Sequence, residues 1–267
     1  MTSLRKFTVL IAVVVPLHCF ADDPAPEDQE MSTDRPGYGE STDIVPKGVL
    51  QIETGLVFDN TAASGSGTHN LTGPTTLIRH ALAPWMELRA STDGVQYERD
   101  EAPHMADVSH AGFSDIGMGA KFHLIQEGGP WPAVSLIAEV ALPTGSAGFS
   151  EGGYNPELEL IWSKPLRWGF GASGNLNLWW HPTDAGGSPG HAQSLSMGHS
   201  LPGRLQGFWE LYHVAPPPGV DTPSWNTDAG FSRLLGKNAQ VDLEAGHSLL
   251  ARTSDWFVGA GFCVRFR

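Results

Sequence analysis

Two sets of residues in this chain are of types that do chemistry, and their spacing separates them. Glu157 and Glu159 stand two apart, as do Asp242 and Glu244. In an extended chain that interval puts both side chains on one face of the pleat. The same register gathers Glu53, Glu87, Asp93, Asp115, Glu139, Glu157, Glu159, Glu210, Asp228, Asp242 and Glu244 on one side, with Arg79, Arg89, Lys121 and Arg265. Charges beside an apolar wall are tolerated only where water reaches them or where they pair. If these residues line an open bore, rings of carboxylates favour cations over anions. If the interior is narrow, opposed acids and bases fill it as structural bridges. The sequence leaves both readings open.

The second set is the histidines and serines, and here the spacing fails. His199-Ser200 and His247-Ser248 are adjacent, hence on opposite faces of a strand, and neither can make a nucleophile-base pair within itself. His69, His104, His110, His181 and His191 lack a metal-ligand interval such as an i, i+4 helical pair. The expectation is therefore no catalytic residue, no cofactor and no metal, and a protein that is not an enzyme. A lipase- or protease-like outer-membrane barrel is one rival class, and a non-conducting structural or adhesive surface barrel is another. A soluble β-sandwich is a further rival.

The elements that must position these side chains are strands with two unlike faces. Trp256, Val258, Ala260, Phe262, Val264 and Phe266 alternate with Phe257, Gly259, Gly261, Cys263 and Arg265 at the end of the chain. Leu50, Ile52, Thr54, Leu56 and Phe58 do the same from Gly48 onward. The device returns in 115–124, 132–142, 155–163, 167–178 and 239–248, and more weakly in 71–82, 85–95, 192–201, 204–214 and 225–235. That makes about twelve strands, apolar outside and polar inside, as a transmembrane antiparallel up-and-down β-barrel requires. His80, Gln193, His199, Arg233 and His247 are the polar exceptions on the outward face. All sit near strand ends, where the cost of about 2–4 kcal/mol for a mid-membrane Arg or Lys falls away.

Connections support this reading independently. Links at 83–84, 126–131, 164–165, 202–203 and 236–238 are short, whereas 60–70, 96–114, 143–154, 179–191, 215–224 and 249–254 are long. Outer-membrane barrels show this asymmetry, with short periplasmic turns and long extracellular loops. Trp85, Trp131, Trp162 and Trp168 fall beside the short turns, and Trp179, Trp180, Trp225 and Trp256 beside the long loops, as two interfacial girdles would.

Composition agrees. Arg5 and Lys6 precede an apolar run ending at Cys19-Phe20-Ala21, which reads as a secretory signal peptide over residues 1–21. A lipoprotein signal is the rival, but His18 stands where a small residue should precede the cysteine. Without this segment, fourteen Lys and Arg face 29 Asp and Glu, a net of about −15. Nucleic acid is not an expected partner. Cys263 is then the sole cysteine, so no intrachain disulfide forms. Residues 22–46 form an irregular periplasmic segment, and residues 47–267 the barrel. Arg35 and Lys47 in or beside that segment raise the alternative that it folds into an acidic lumen as a plug.

Thr33-Asp34-Arg35-Pro36-Gly37-Tyr38-Gly39-Glu40-Ser41, Val45-Pro46-Lys47-Gly48, Ser114-Asp115-Ile116-Gly117, Gly119-Ala120-Lys121, Ala141-Leu142-Pro143-Thr144-Gly145 and Asp255 to Gly261 resemble the bacterial outer-membrane barrels named for a meta-pathway of phenol degradation. The resemblance runs from about Thr33 to Phe266. It implies a bacterial outer-membrane location in lipid and a channel-like transporter for passive passage of small solutes, including aromatic or hydrophobic compounds. Its members carry no catalytic or ligand residues to transfer. An outer-membrane barrel also engages the barrel-assembly machinery through its C-terminal strand, although Arg267 follows the terminal aromatic here.

Overall fold

The computed structural model describes residues 29–63, 66–183, 187–249 and 254–266. The expected signal peptide, residues 1–21, lies outside the described residues. Strands run over β1 (Leu50–Ala63), β2 (Ser66–Ala83), β3 (Met86–Thr92), β4 (Val95–Glu101), β5 (Val108–Phe113), β6 (Ile116–Ile125), β7 (Ala133–Leu142), β8 (Asn155–Pro165), β9 (Phe170–His181), β10 (Ser188–Leu201), β11 (Leu205–Ala215), β12 (Ser224–Leu234), β13 (Ala239–Ser248) and β14 (Ser254–Phe266). Each pairs antiparallel with its neighbours, and β1 closes the sheet by pairing both β2 and β14, from Leu50↔Phe266 to Ala62↔Ser254. Closure satisfies ladder donors and acceptors that hydrocarbon would leave unmet.

These segments build a barrel of twelve staves. The 18-residue β2 pairs β3 through Thr76–Ala83 and β4 through Gly67–Gly73, so β3 and β4 are one stave interrupted at Asp93–Gly94. β6 pairs β3 and β5 pairs β4, which makes β5 and β6 a second stave, interrupted at Ser114–Asp115. The Ser114 N–H donates to the Gly94 carbonyl at 2.9 Å across the two breaks. Gly94 has φ 76°, a conformation that side chains rarely adopt, so the break falls where a glycine permits it.

This corrects the sequence reading of 96–114 as one long loop. Both arms of that stretch are strands, β4 and β5, because a stave that rises past the membrane no longer needs an apolar face and its ladder alone holds it. The link drawn over 60–70 shrinks for the same reason, with β1 running to Ala63 and β2 resuming at Ser66.

Burial is inverted relative to a water-soluble protein. Leu243 is 65% exposed, Leu176 54% and Leu56 53%, whereas Arg79, Lys121 and Glu87 are at 0% and Glu53 at 1%. The apolar surface is continuous around the outside and the charge is inside, which is the arrangement lipid stabilises. Trp168, 86% exposed, and Trp131, 68% exposed, stand at the short-turn end.

Candidate functional site

The inner face carries a compact basic patch on adjacent staves. Arg79 of β2 pairs in register with Arg89 of β3, and Lys121 of β6 lies opposite Glu87 of β3. Three buried cations so close would be costly unless matched. Arg79 donates to Glu53 of β1 and to Glu87, each at 2.9 Å. The remaining partners come from outside the barrel wall. Asp34, in the segment preceding β1, accepts from Arg89 at 2.6 Å and from Lys121 at 2.8 Å, and Glu40 of the same segment accepts from Arg89 at 2.6 Å. Burial by itself would raise the Asp34 carboxyl, but Arg79, Lys121 and Arg89 outweigh it and hold that group well below the usual carboxylate range.

The segment before β1 is therefore inside the bore, and its irregular backbone is satisfied there by wall carboxylates. Glu53 accepts the N–H groups of Asp34 and Arg35 at 2.9 and 3.2 Å, Glu210 those of Tyr38 and Gly39 at 2.8 and 3.1 Å, Glu244 that of Gly37 at 2.8 Å, and Glu87 that of Val45 at 3.0 Å. Non-helical, non-sheet backbone is tolerated at membrane depth only when it is enclosed by protein in this way. The residues drawn from sequence as periplasmic, 22–46, thus lie within the barrel from Gln29 onward, where Arg265 of β14 donates to the Gln29 carbonyl at 3.1 Å. Wall carboxylates offered acceptors that the segment's free N–H groups lacked, and this pairing is invisible to local patterning.

Shape completes the seat. The Arg35 side chain crosses the inner face over Gly55 of β1 and Gly261 of β14, and a Cβ at either glycine would come within 2.5 or 2.4 Å of it. The guanidinium reaches Asp242 of β13 and Thr75 of β2, both at 3.3 Å. Tyr38 stacks on Tyr212 of β11 with ring centres 4.3 Å apart and planes 4° from parallel. Ser135 of β7 donates to the Thr42 carbonyl at 2.6 Å, and Thr42 meets Ser163 of β8 at 2.7 Å. Gly48, at φ 78°, turns the chain from the bore into β1.

Two cavities flank the segment. One of about 540 Å³ extends toward the long loops and is lined by Asp93, Asp115, Glu139, Phe149 and Glu151. The other, about 570 Å³, extends toward the short turns and is lined by Ser163, Ser173, Ser196, Gln206 and Ser232. Asp34, Arg35 and Glu40 border both.

The structure places the sequence-derived residues in three groups. Glu53, Arg79, Glu87, Arg89 and Lys121 form the paired patch just described. Glu157, Glu159, Glu210, Asp228, Asp242 and Glu244 stand on the inner face of β8 and β11–β13, where Asn177 donates to Glu157 at 3.0 Å and Asn175 to Glu159. Glu139 accepts from Ser91, and Arg265 lies at the short-turn end. Asp93 and Asp115 differ, sitting at the two stave breaks. Asp115 accepts the N–H groups of Gly145 and Glu151 at 2.8 and 3.0 Å, pinning the 143–154 loop. Asp34, Glu40, Tyr38 and Tyr212 were missed as site residues; the only signal was that charges in an irregular segment need partners somewhere.

His123 and Ser135, not weighed from sequence, meet at 3.2 Å. Ser135 is fully buried and commits its proton to Thr42, so the pair is no nucleophile. Among the described residues no three His, Cys, Asp or Glu side chains converge as a metal site.

The model of a protein family described as "Putative MetA-pathway of phenol degradation" matches residues 33–266. Among solved structures, an outer membrane channel from Pseudomonas putida F1 superposes with a TM-score of 0.61 at 13% identity, over 87% of this chain and 99% of that one. The translocator domain of the autotransporter NalP from Neisseria meningitidis gives 0.54 at 10% identity, over 83% and 90% of the two chains. The transport unit of the autotransporter AIDA-I from Escherichia coli gives 0.52 at 8%, over 83% and 91%. No curated protein matches the chain. At these identities the likeness speaks for the fold, that of outer-membrane β-barrels.

Proposed function

Because the chain belongs to that phenol-degradation family, we propose that it is an outer-membrane channel for passive passage of small solutes. The observation that carries the reading is the pair of cavities, about 540 and 570 Å³, that extend from opposite ends of an apolar-walled barrel and share Asp34, Arg35 and Glu40 as a common border. A polar interior of that volume accommodates molecules of a few rings or fewer, and the family description directs attention to aromatic compounds among them. The partners of this reading are outer-membrane lipid, a small solute, and the barrel-assembly machinery, engaged by β14. The charged bore supports transport better than catalysis, since its buried groups are spent on holding the inner segment.

A non-conducting barrel is the second reading, favoured by one observation: the inner segment is bonded to staves on every side of the bore. Liposome swelling with phenol-like, sugar and ionic solutes tests both. Uptake of any of these by vesicles bearing folded protein supports the channel, and impermeability to all of them leaves the filled barrel. Turnover of a chromogenic ester, abolished by a serine reagent, would instead revive the enzyme class.

A further inference from the structure

Charge inside the barrel is segregated. Arg79, Arg89 and Lys121 cluster on β2, β3 and β6, where Asp34, Glu40, Glu53 and Glu87 engage them, and Arg265 of β14 lies apart at the short-turn end, bonded to Gln51 and to the Gln29 carbonyl. The facing wall carries Glu157, Glu159, Glu210, Asp228, Asp242 and Glu244. Cations near it include Arg35, 3.3 Å from Asp242 and 3.8 Å from Glu244, and Lys164 at the short-turn rim, 2.6 Å from Glu127. The basic patch is neutralised where the inner segment seats, and the opposite side is left rich in carboxyl groups with few basic partners.

Asp228 makes the imbalance specific. Its side chain is 3% exposed, it lies directly across from Glu210 in the β11–β12 ladder, and neither of its carboxylate oxygens has a hydrogen-bond partner. A buried carboxylate without donor or counter-ion is costly, and native proteins seldom leave one so. Phe208 lies over Gly230 and Phe257 over Gly246, so aromatic surface borders the same wall.

We propose that the barrel passes monovalent cations, protonated amines among them, in preference to anions, past the carboxyl-rich inner face of β8 and β11–β13, with Asp228 as a point of dwell. The long-loop cavity adds Asp93, Asp115, Glu139 and Glu151 at its entrance, which concentrates cations and repels anions before that face is reached. Aromatic rings on Tyr38, Tyr212, Phe208 and Phe257 suit an organic ammonium through cation–π contact. The inference rests on the channel reading and names its solute class.

The experiment is the reversal potential of the full-length protein in a planar bilayer under a potassium chloride gradient, with Asp228→Asn, Glu157→Gln and a loop control, Asp221→Asn. The expected result is a potassium-to-chloride permeability ratio several-fold above one, at least halved in Asp228→Asn and in Glu157→Gln, and unchanged in Asp221→Asn. Asp228→Asn removes no hydrogen bond, and heat-modifiable gel mobility verifies that each variant is folded. Openings with a ratio at or below one, or a ratio unmoved by both lumen variants, overturn the cation proposal and leave the channel standing. Silent bilayers from folded protein overturn the channel, and the proposal with it.

Discussion

The carboxylate of Asp34 lies 2.8 Å from the ammonium of Lys121, eighty-seven positions further along the chain, and this contact fixes the inner segment to the wall of the barrel. Arg89 reaches the same carboxylate at 2.6 Å. One side chain therefore bridges two buried cations, and Arg79 stands 3.5 Å away.

Removing Asp34 leaves those cations without their common partner. Asp34→Ala is expected to weaken seating of the segment by about 3–5 kcal/mol, the range for breaking a buried pair. Single-channel conductance should rise above that of the unsubstituted protein. Equal conductance in the two would show that the segment stays seated without this carboxylate.

Deleting residues 22–44 goes further, since it takes away Asp34, Arg35, Tyr38 and Glu40 together. Conductance of the shortened barrel is expected to exceed that of Asp34→Ala. An unchanged conductance would mean that the segment does not limit flow.

The pH dependence follows from the depressed Asp34 carboxyl, which burial opposes and the surrounding Arg79, Lys121 and Arg89 enforce. Its ionised form is favoured in the seated state, so its contribution is complete above the ordinary carboxylate value of about 4. Below that it declines as the pH drops toward the depressed value. Loss of this contribution in acid below about 4 is expected to loosen the segment and raise conductance, a rise that Asp34→Ala should lack.

Tyr38 and Tyr212 offer a milder test. Tyr212→Ala removes a parallel stack at 4.3 Å, worth about 0.5–1.5 kcal/mol beyond the buried area. Faster open-state flicker with unchanged thermal stability of the barrel is the expected outcome, read from current noise and gel mobility.

The outer face is tested by Leu243→Arg. Leu243 is 65% exposed and sits mid-strand opposite Phe231 and Ala260. An arginine there is expected to cost about 2–4 kcal/mol in lipid, measured by urea-induced unfolding from vesicles. A neutral effect would place this face against water or protein instead of acyl chains.

Much of the architecture was legible in the residues themselves. Alternation such as Val258, Ala260, Phe262 against Gly259, Gly261, Cys263 is local, and a pleat converts it directly into an outside and an inside. The inward set from Glu53 to Arg265 followed from that same parity. What parity cannot register is a stave that breaks and resumes, because β4 and β5 rise where charged residues such as Glu98, Arg99 and Asp100 erase the apolar face.

Arg35 in an irregular segment pointed toward an acidic lumen, but which residue partners which was beyond the sequence. Arg35 finds Asp242 across 207 positions, Tyr38 finds Tyr212, and Asp34 finds Lys121 only after twelve staves have closed around the segment that carries them. Alternation is set by neighbouring residues and can be read along a line. The choice of which charge neutralises which depends on distances across the bore, and those exist only once the barrel does.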